Sequence, residues 1–129
     1  MEERRLWRKR DTFSDACRHA WRGVVLGWQA ERNTKAQFGV ALTAVLAAVL
    51  LGLPASQVAV VILVSAVVII SEFFNTAIEE LSDVVSPEYD EAVGEVKDIA
   101  AGAVLLVSLA AIIVGFLLLG PPMVALVVS

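Results

Sequence analysis

Apolar residues recur along this chain in two different rhythms. Over the first third, Phe13, Ala16, Cys17, Ala20, Trp21, Val24, Val25 and Trp28 return at three- and four-residue steps, with Arg18 and Arg22 on another side; that period makes an amphipathic helix. Further on the rhythm disappears into long apolar runs. Between Lys35 and Glu72 stand 36 residues without a formal charge, and 31 more follow Asp98. A membrane-crossing helix takes about 20 apolar residues, so the first run holds two helices, broken at Gly52, Leu53, Pro54, Ala55 and Ser56. Glycine and proline punctuate a chain in this way. The second run holds one helix, expected to close at Gly120, Pro121 and Pro122.

The predicted fold is therefore an all-α integral membrane protein of one domain, residues 1–129. A surface helix over 10–34 precedes three transmembrane helices over 36–53, 57–84 (with an extension beyond the bilayer) and 97–119. Apolar and basic faces with tryptophan at their boundary suit a helix lying in the plane of the interface, or one resting on the spanning helices.

Composition agrees: 58% of residues are hydrophobic and 19% charged, against roughly 45–50% and about 25% in soluble domains. This excludes a disordered chain and an ordinary soluble domain. The net charge of −4 conceals segregation. Nine of the ten basic residues precede position 36 and face five acids there, whereas Glu72 to Asp98 carries nine acids against Lys97 alone. Basic residues gather on the cytoplasmic side, which puts the N-terminus inside, the Pro54 turn outside, the acidic loop Val84–Val96 inside and the C-terminal tail outside. The first apolar run begins too late for a signal peptide, so an inner-membrane protein is expected. Cys17 is the one cysteine, which leaves no intrachain disulfide and no cysteine cluster for a metal.

The second predicted span is long enough only if it includes Glu72, Asn75 and Glu79. Ionisable groups within a span are costly and mark functional sites. With Asp83 these residues form one stripe, since at about 100° per residue the three acids fall within roughly 40° of one another; Glu80 stands off it. Stacked carboxylates need a cation between them. Oxygen ligands without histidine or cysteine favour Mg²⁺, which is commonly shared with substrate phosphates. Lys97 is placed at the entrance of the third span, where an anion would meet the positive end of the helix dipole, and Ala100, Ala101, Gly102 and Ala103 leave room for close approach. Lysine, metal-type carboxylates and small residues together suggest a polyphosphate site, although neither a Walker A pattern nor a kinase glycine-rich loop occurs.

Three ordered motifs now carry a resemblance: Glu72-Phe-Phe-Asn75-Thr76-Ala77-Ile78-Glu79, then Asp83-Val-Val-Ser86-Pro87-Glu88-Tyr89, then Lys97-Asp98-Ile-Ala-Ala-Gly102-Ala-Val. From about Phe13 to Leu119 the chain resembles the small prokaryotic diacylglycerol kinases. The resemblance implies a homotrimer of three-span chains that phosphorylates a membrane lipid alcohol with MgATP. It implies Glu72 as the general base, Asn75 as its polar neighbour, Glu31 and Glu79 as metal ligands, Lys97 on the phosphates and Asp98 as its supporting acid. Asp83, Glu88, Gly94 and His19 fall on the nucleotide side. His19 stands where the family commonly has tyrosine, and Gln37 where histidine or glutamate is usual. Glu31-Arg32-Asn33 and the three motifs look more like the undecaprenol kinases of Gram-positive bacteria than like the diacylglycerol kinases of proteobacteria, so undecaprenol is the expected substrate and diacylglycerol the alternative.

Two other classes compete. A small proton or cation transport subunit would also carry acids in the membrane, but a conduction path would spread across the bilayer, and these acids all lie toward one end of a span. A structural assembly factor would keep its function after Glu72→Gln.

Overall fold

The computed structural model describes residues 12–30 and 32–128, the side chains of Arg32 and Asn33 excepted. These residues form four helices: α1 (Phe13–Ala30), α2 (Arg32–Leu50), α3 (Ala55–Val85) and α4 (Glu91–Val128).

Helix α1 begins at a reciprocal cap. Thr12 Oγ1 accepts a hydrogen bond from the Asp15 amide (3.3 Å), and Asp15 Oδ2 accepts one from the Thr12 amide (3.2 Å), which satisfies two donors that a helix start leaves open. No α1 residue is buried, so Phe13, Trp21, Leu26 and Trp28 present apolar surface outward. The α1 axis stands at 101° to the segment Thr34–Leu50. Where α2 follows the bilayer normal, α1 consequently lies in the plane of the interface. Trp28 meets Phe38 edge to face at 4.9 Å across that corner, and a Cβ on Gly27 would stand 2.9 Å from the Phe73 ring, so the absence of a side chain seats α1 on α3.

The reversal between α2 and α3 follows from Gly52, whose φ is +71°. Leu53 N–H donates to Ala48 O (3.0 Å) and Gly52 N–H to Val49 O (3.0 Å), the paired bonds of a Schellman motif with glycine in the left-handed conformation. Pro54 then stands at the start of α3, where its missing N–H costs nothing.

Both α3 and α4 are long and apolar enough to cross a membrane. In α2 the apolar stretch is shorter, because Arg32 and Lys35 occupy its first turn. Burial is inverted relative to a soluble protein. Among the described residues the buried apolar side chains are only Ala48, Val61, Val68 and Ala100, whereas Thr34, Glu72, Asn75, Thr76 and Ser82 are buried polar ones. Leucine, isoleucine and phenylalanine side chains of α4 face outward, as expected where the surrounding solvent is lipid.

Three expectations change. Helix α3 ends at Val85 and α4 begins at Glu91, so the acidic loop shrinks from Val84–Val96 to a break of five residues, 86–90. Asp90 Oδ1 accepts from the amides of Ala92 (2.9 Å) and Val93 (3.1 Å) and starts α4 there as an N-cap. Lys97 accordingly lies nearly two turns inside α4 and not at its entrance. At the other end α4 continues through Pro121 and Pro122 to Val128; the apolar run persists beyond them, and spanning helices tolerate proline that a soluble helix would not.

Candidate functional site

Gln37 and Glu72 fix the pairing of the α2–α3 hairpin. Gln37 Nε2 donates to Glu72 Oε1 at 3.3 Å, and Glu72 is 4% exposed. The helices run antiparallel, so stepping one turn back along α2 and one turn on along α3 brings Thr34 to the level of Asn75. Thr34 is 1% and Asn75 9% exposed. Asn75 Nδ2 donates to Glu79 Oε1 at 3.0 Å, which orients the amide and directs its oxygen away from Glu79. Asn75 Oδ1 and Thr34 Oγ1 are buried without a hydrogen-bond partner. Leaving such atoms unsatisfied costs about 1–3 kcal/mol each. The level between Glu72 and Glu79 therefore suits a group that brings its own donors or positive charge: a hydroxyl, a water or a hard cation.

Further along α3 the stripe emerges from burial. Asp83 is exposed and accepts a hydrogen bond from Lys97 Nζ of α4 at 2.9 Å. This pair sits on a cleft of about 640 Å³ at the α3–α4 break, whose walls include Glu88, Gly94 and Asp98. Ser86 shapes the break, with its amide on Ser82 O (2.9 Å) and its hydroxyl on Glu88 O (2.9 Å). Six acids line the cleft (Asp83, Glu88, Asp90, Glu91, Glu95 and Asp98) against one cation, Lys97. A polyphosphate entering it must bring its own cations.

Five of the sequence-predicted residues, Asp83, Glu88, Gly94, Lys97 and Asp98, thus share the cleft, while Glu72, Asn75 and Glu79 stand on one face of α3 leading to it. Glu80 is exposed on the groove between α1 and α3, off the stripe. His19 is exposed on α1, one turn from Asp15, and does not line the cleft. Hydrogen bonds from the Thr12 hydroxyl and amide, aided by His19, hold the Asp15 carboxyl below its ordinary 3.8. Glu31 lies outside the described residues. Among those described, no three histidine, cysteine, aspartate or glutamate side chains gather to hold a metal; the oxygens present, Glu79 and the unsatisfied Asn75 Oδ1, fit an ion that takes few protein ligands and completes its shell with water and phosphate. Sequence reasoning passed over Thr34. Its signal is available: Thr34 and Gln37, three apart, put two polar groups on one face of α2 just before the helix turns apolar.

Comparison with known proteins gives a consistent result. Residues 18–119 match the family model described as prokaryotic diacylglycerol kinase. A diacylglycerol kinase of Synechocystis sp. is 41% identical over 123 residues, 95% of this chain and 70% of that protein. A diacylglycerol kinase of Escherichia coli K12 is 34% identical over 106 residues, 81% of this chain and 85% of that protein.

Proposed function

The chain belongs to the prokaryotic diacylglycerol kinase family and is a lipid kinase, and on that premise we propose that it transfers the terminal phosphate of MgATP to the hydroxyl of diacylglycerol at the cytoplasmic face of the bacterial inner membrane. The observation that carries this reading is the burial of a carboxylate, Glu72, beside the end of an apolar groove. The groove, about 390 Å³, starts at Gln37 and Val68 and runs between α2, α3 and α4 past Ala44 to Val61 and Leu119. From Ala55 to Glu72 is about 25 Å of helix, and the hydrocarbon core is about 30 Å thick. With the basic N-terminal segment inside and α2 as the third span, Glu72 comes within about 5 Å of the inner boundary, the depth of a lipid hydroxyl. The groove leads from there toward the bilayer centre, the direction a lipid chain takes.

Glu72 acts as the general base and takes the proton of the primary hydroxyl as the oxygen attacks phosphorus. Asn75 positions Glu79. Glu79 lies about 10 Å further along the helix, and with Glu31 it would hold Mg²⁺, whose charge neutralises the phosphates. Lys97 adds a protein cation on the phosphates, and Asp98, Asp83, Glu88 and Gly94 form the nucleotide side. The reaction then needs little beyond positioning and charge neutralisation. The exposed apolar faces of α1 and α4 support assembly as a homotrimer within lipid.

Undecaprenol is the second reading. It is favoured by Glu31-Arg32-Asn33 and the run Lys97 to Val104, which resemble the undecaprenol kinase branch. Purified protein in mixed micelles, supplied with MgATP and either alcohol, should release ADP only when a lipid alcohol is present. A higher kcat/KM with diacylglycerol supports the first substrate, and the reverse order the second. ADP release independent of both alcohols, from protein with intact helical content, would overturn the kinase mechanism.

A further inference from the structure

From the contact across the α2–α3 hairpin we infer that Gln37 is a positioning residue for the lipid-phosphorylating step, acting through Glu72. This inference rests on Glu72 being the base. Gln37 begins the face Gln37, Val40, Ala41 and Ala44 that forms the α2 wall of the apolar groove, and its amide donates to Glu72 Oε1 at 3.3 Å. It therefore touches both the surface along which a lipid chain would lie and the carboxylate that would receive the lipid's proton. An uncharged amide suits this place. It can rest half-buried against apolar side chains without the solvation a charged donor would require, yet it still offers N–H to one carboxylate oxygen.

A glutamate side chain has a broad, roughly two-fold terminal torsion. Each hydrogen bond to the carboxylate of Glu72 narrows the orientations in which an approaching hydroxyl meets its lone pairs. A donor from the opposite helix restricts the turn. The bond lies at the long end of the hydrogen-bond range, so its effect on rate is that of a single modest contact realised in the reacting arrangement, about three- to tenfold. A substitution that keeps the groove wall and removes only the donor should therefore lower kcat.

Gln37→Met tests this, because methionine keeps the length and apolar contact of the side chain and removes the donor. We expect kcat to fall about three- to tenfold, with KM for MgATP and for lipid within about twofold and the thermal midpoint unchanged. Gln37→His, which restores an N–H at similar reach, should recover most of the rate. Glu72→Gln is measured alongside. If Glu72→Gln is inactive and Gln37→Met retains full kcat, the positioning role is overturned while the base survives. If Glu72→Gln stays active, the base fails and the role of Gln37 with it. A fall in kcat that His does not recover, or one matched by an equal loss of folded protein, reduces Gln37 to a packing residue and overturns the inference; should Gln37→Met fail to fold, Gln37→Leu against Gln37→His decides by the same criterion.

Discussion

The two halves of the acidic stripe on α3 work in different surroundings. Glu72 and Asn75 sit in a nearly dry seam walled by α2, where every polar atom needs a named partner. Asp83 and Lys97, three turns on, face a wide cleft in which water and salt compete for each contact; their side chains are 70% and 36% exposed. Charges at such separations interact strongly only where the medium is poor in water. One helix thus carries groups fit for proton transfer at its apolar part and groups fit for gathering a charged nucleotide at its wet end. The consequence of losing a side chain should follow burial.

The largest effect is expected at Glu72. Glu72→Gln should lower kcat by about a hundred- to ten-thousandfold, the range for general-base catalysis, while MgATP affinity, measured by nucleotide displacement, stays within about twofold. Equal loss of binding would mean that seam and cleft are one site. Asn75→Leu comes next. It removes the donor that holds Glu79 and also deletes a buried acceptor with no partner. Activity should fall about tenfold or more and the Mg²⁺ requirement should rise, as for other groups that orient a ligand. Removing an unsatisfied buried group relieves its desolvation cost, so the thermal midpoint should hold or increase. A large drop in the midpoint with normal Mg²⁺ dependence would make Asn75 structural.

Lys97→Ala should act differently. Exposed ion pairs contribute roughly 0–1 kcal/mol, so folding should be almost indifferent to loss of the Asp83 contact. The KM for MgATP should rise severalfold, and the rise should shrink as salt is added, because screening weakens the wild-type contact. A salt-independent change would place Lys97 in a drier setting than the cleft provides.

How much of this was legible in the sequence also divides along the stripe. Helix α3 was read almost to its ends, since Pro54 fixes one boundary and the apolar run with its acids fixes the other. The acidic residues were legible as a group because charge inside a span needs a reason. What escaped were features set by partners across helices. The donation from Gln37 depends on the register of the α2–α3 hairpin, which one helix's periodicity does not contain. Thr34 is one polar residue among several near the start of α2, and only its level opposite Asn75 makes its unsatisfied hydroxyl meaningful. The start of α4 was placed too late because its first turns are charged; hydropathy ends where the bilayer ends, whereas the helix ends where its cap does, at Asp90. Likewise the two prolines read as a stop by soluble-protein rules that lipid relaxes.

The smallest effect belongs to a pair outside both the stripe and the cleft, the Thr12–Asp15 cap of α1. The Thr12 hydroxyl and amide bond the Asp15 carboxylate and hold its pKa below the ordinary 3.8. A carboxyl whose pKa is depressed in the folded state contributes stability that is complete above its unfolded value and is lost as pH falls through the lower folded value. Helix α1 should therefore fray below about pH 4, seen as faster amide exchange at Ala16 and Cys17, while α3 amides in the same sample stay protected. Thr12→Val removes the hydroxyl, so the Asp15 pKa should return toward 3.8; the acid-dependent part of the fraying should shrink and α1 should exchange faster already at neutral pH, with activity there within about twofold because a single exposed contact changes so little. If the α3 seam opened over the same pH range as α1, the surface helix and the buried site would be coupled, and the division between a dry seam and wet charges would have to be drawn elsewhere.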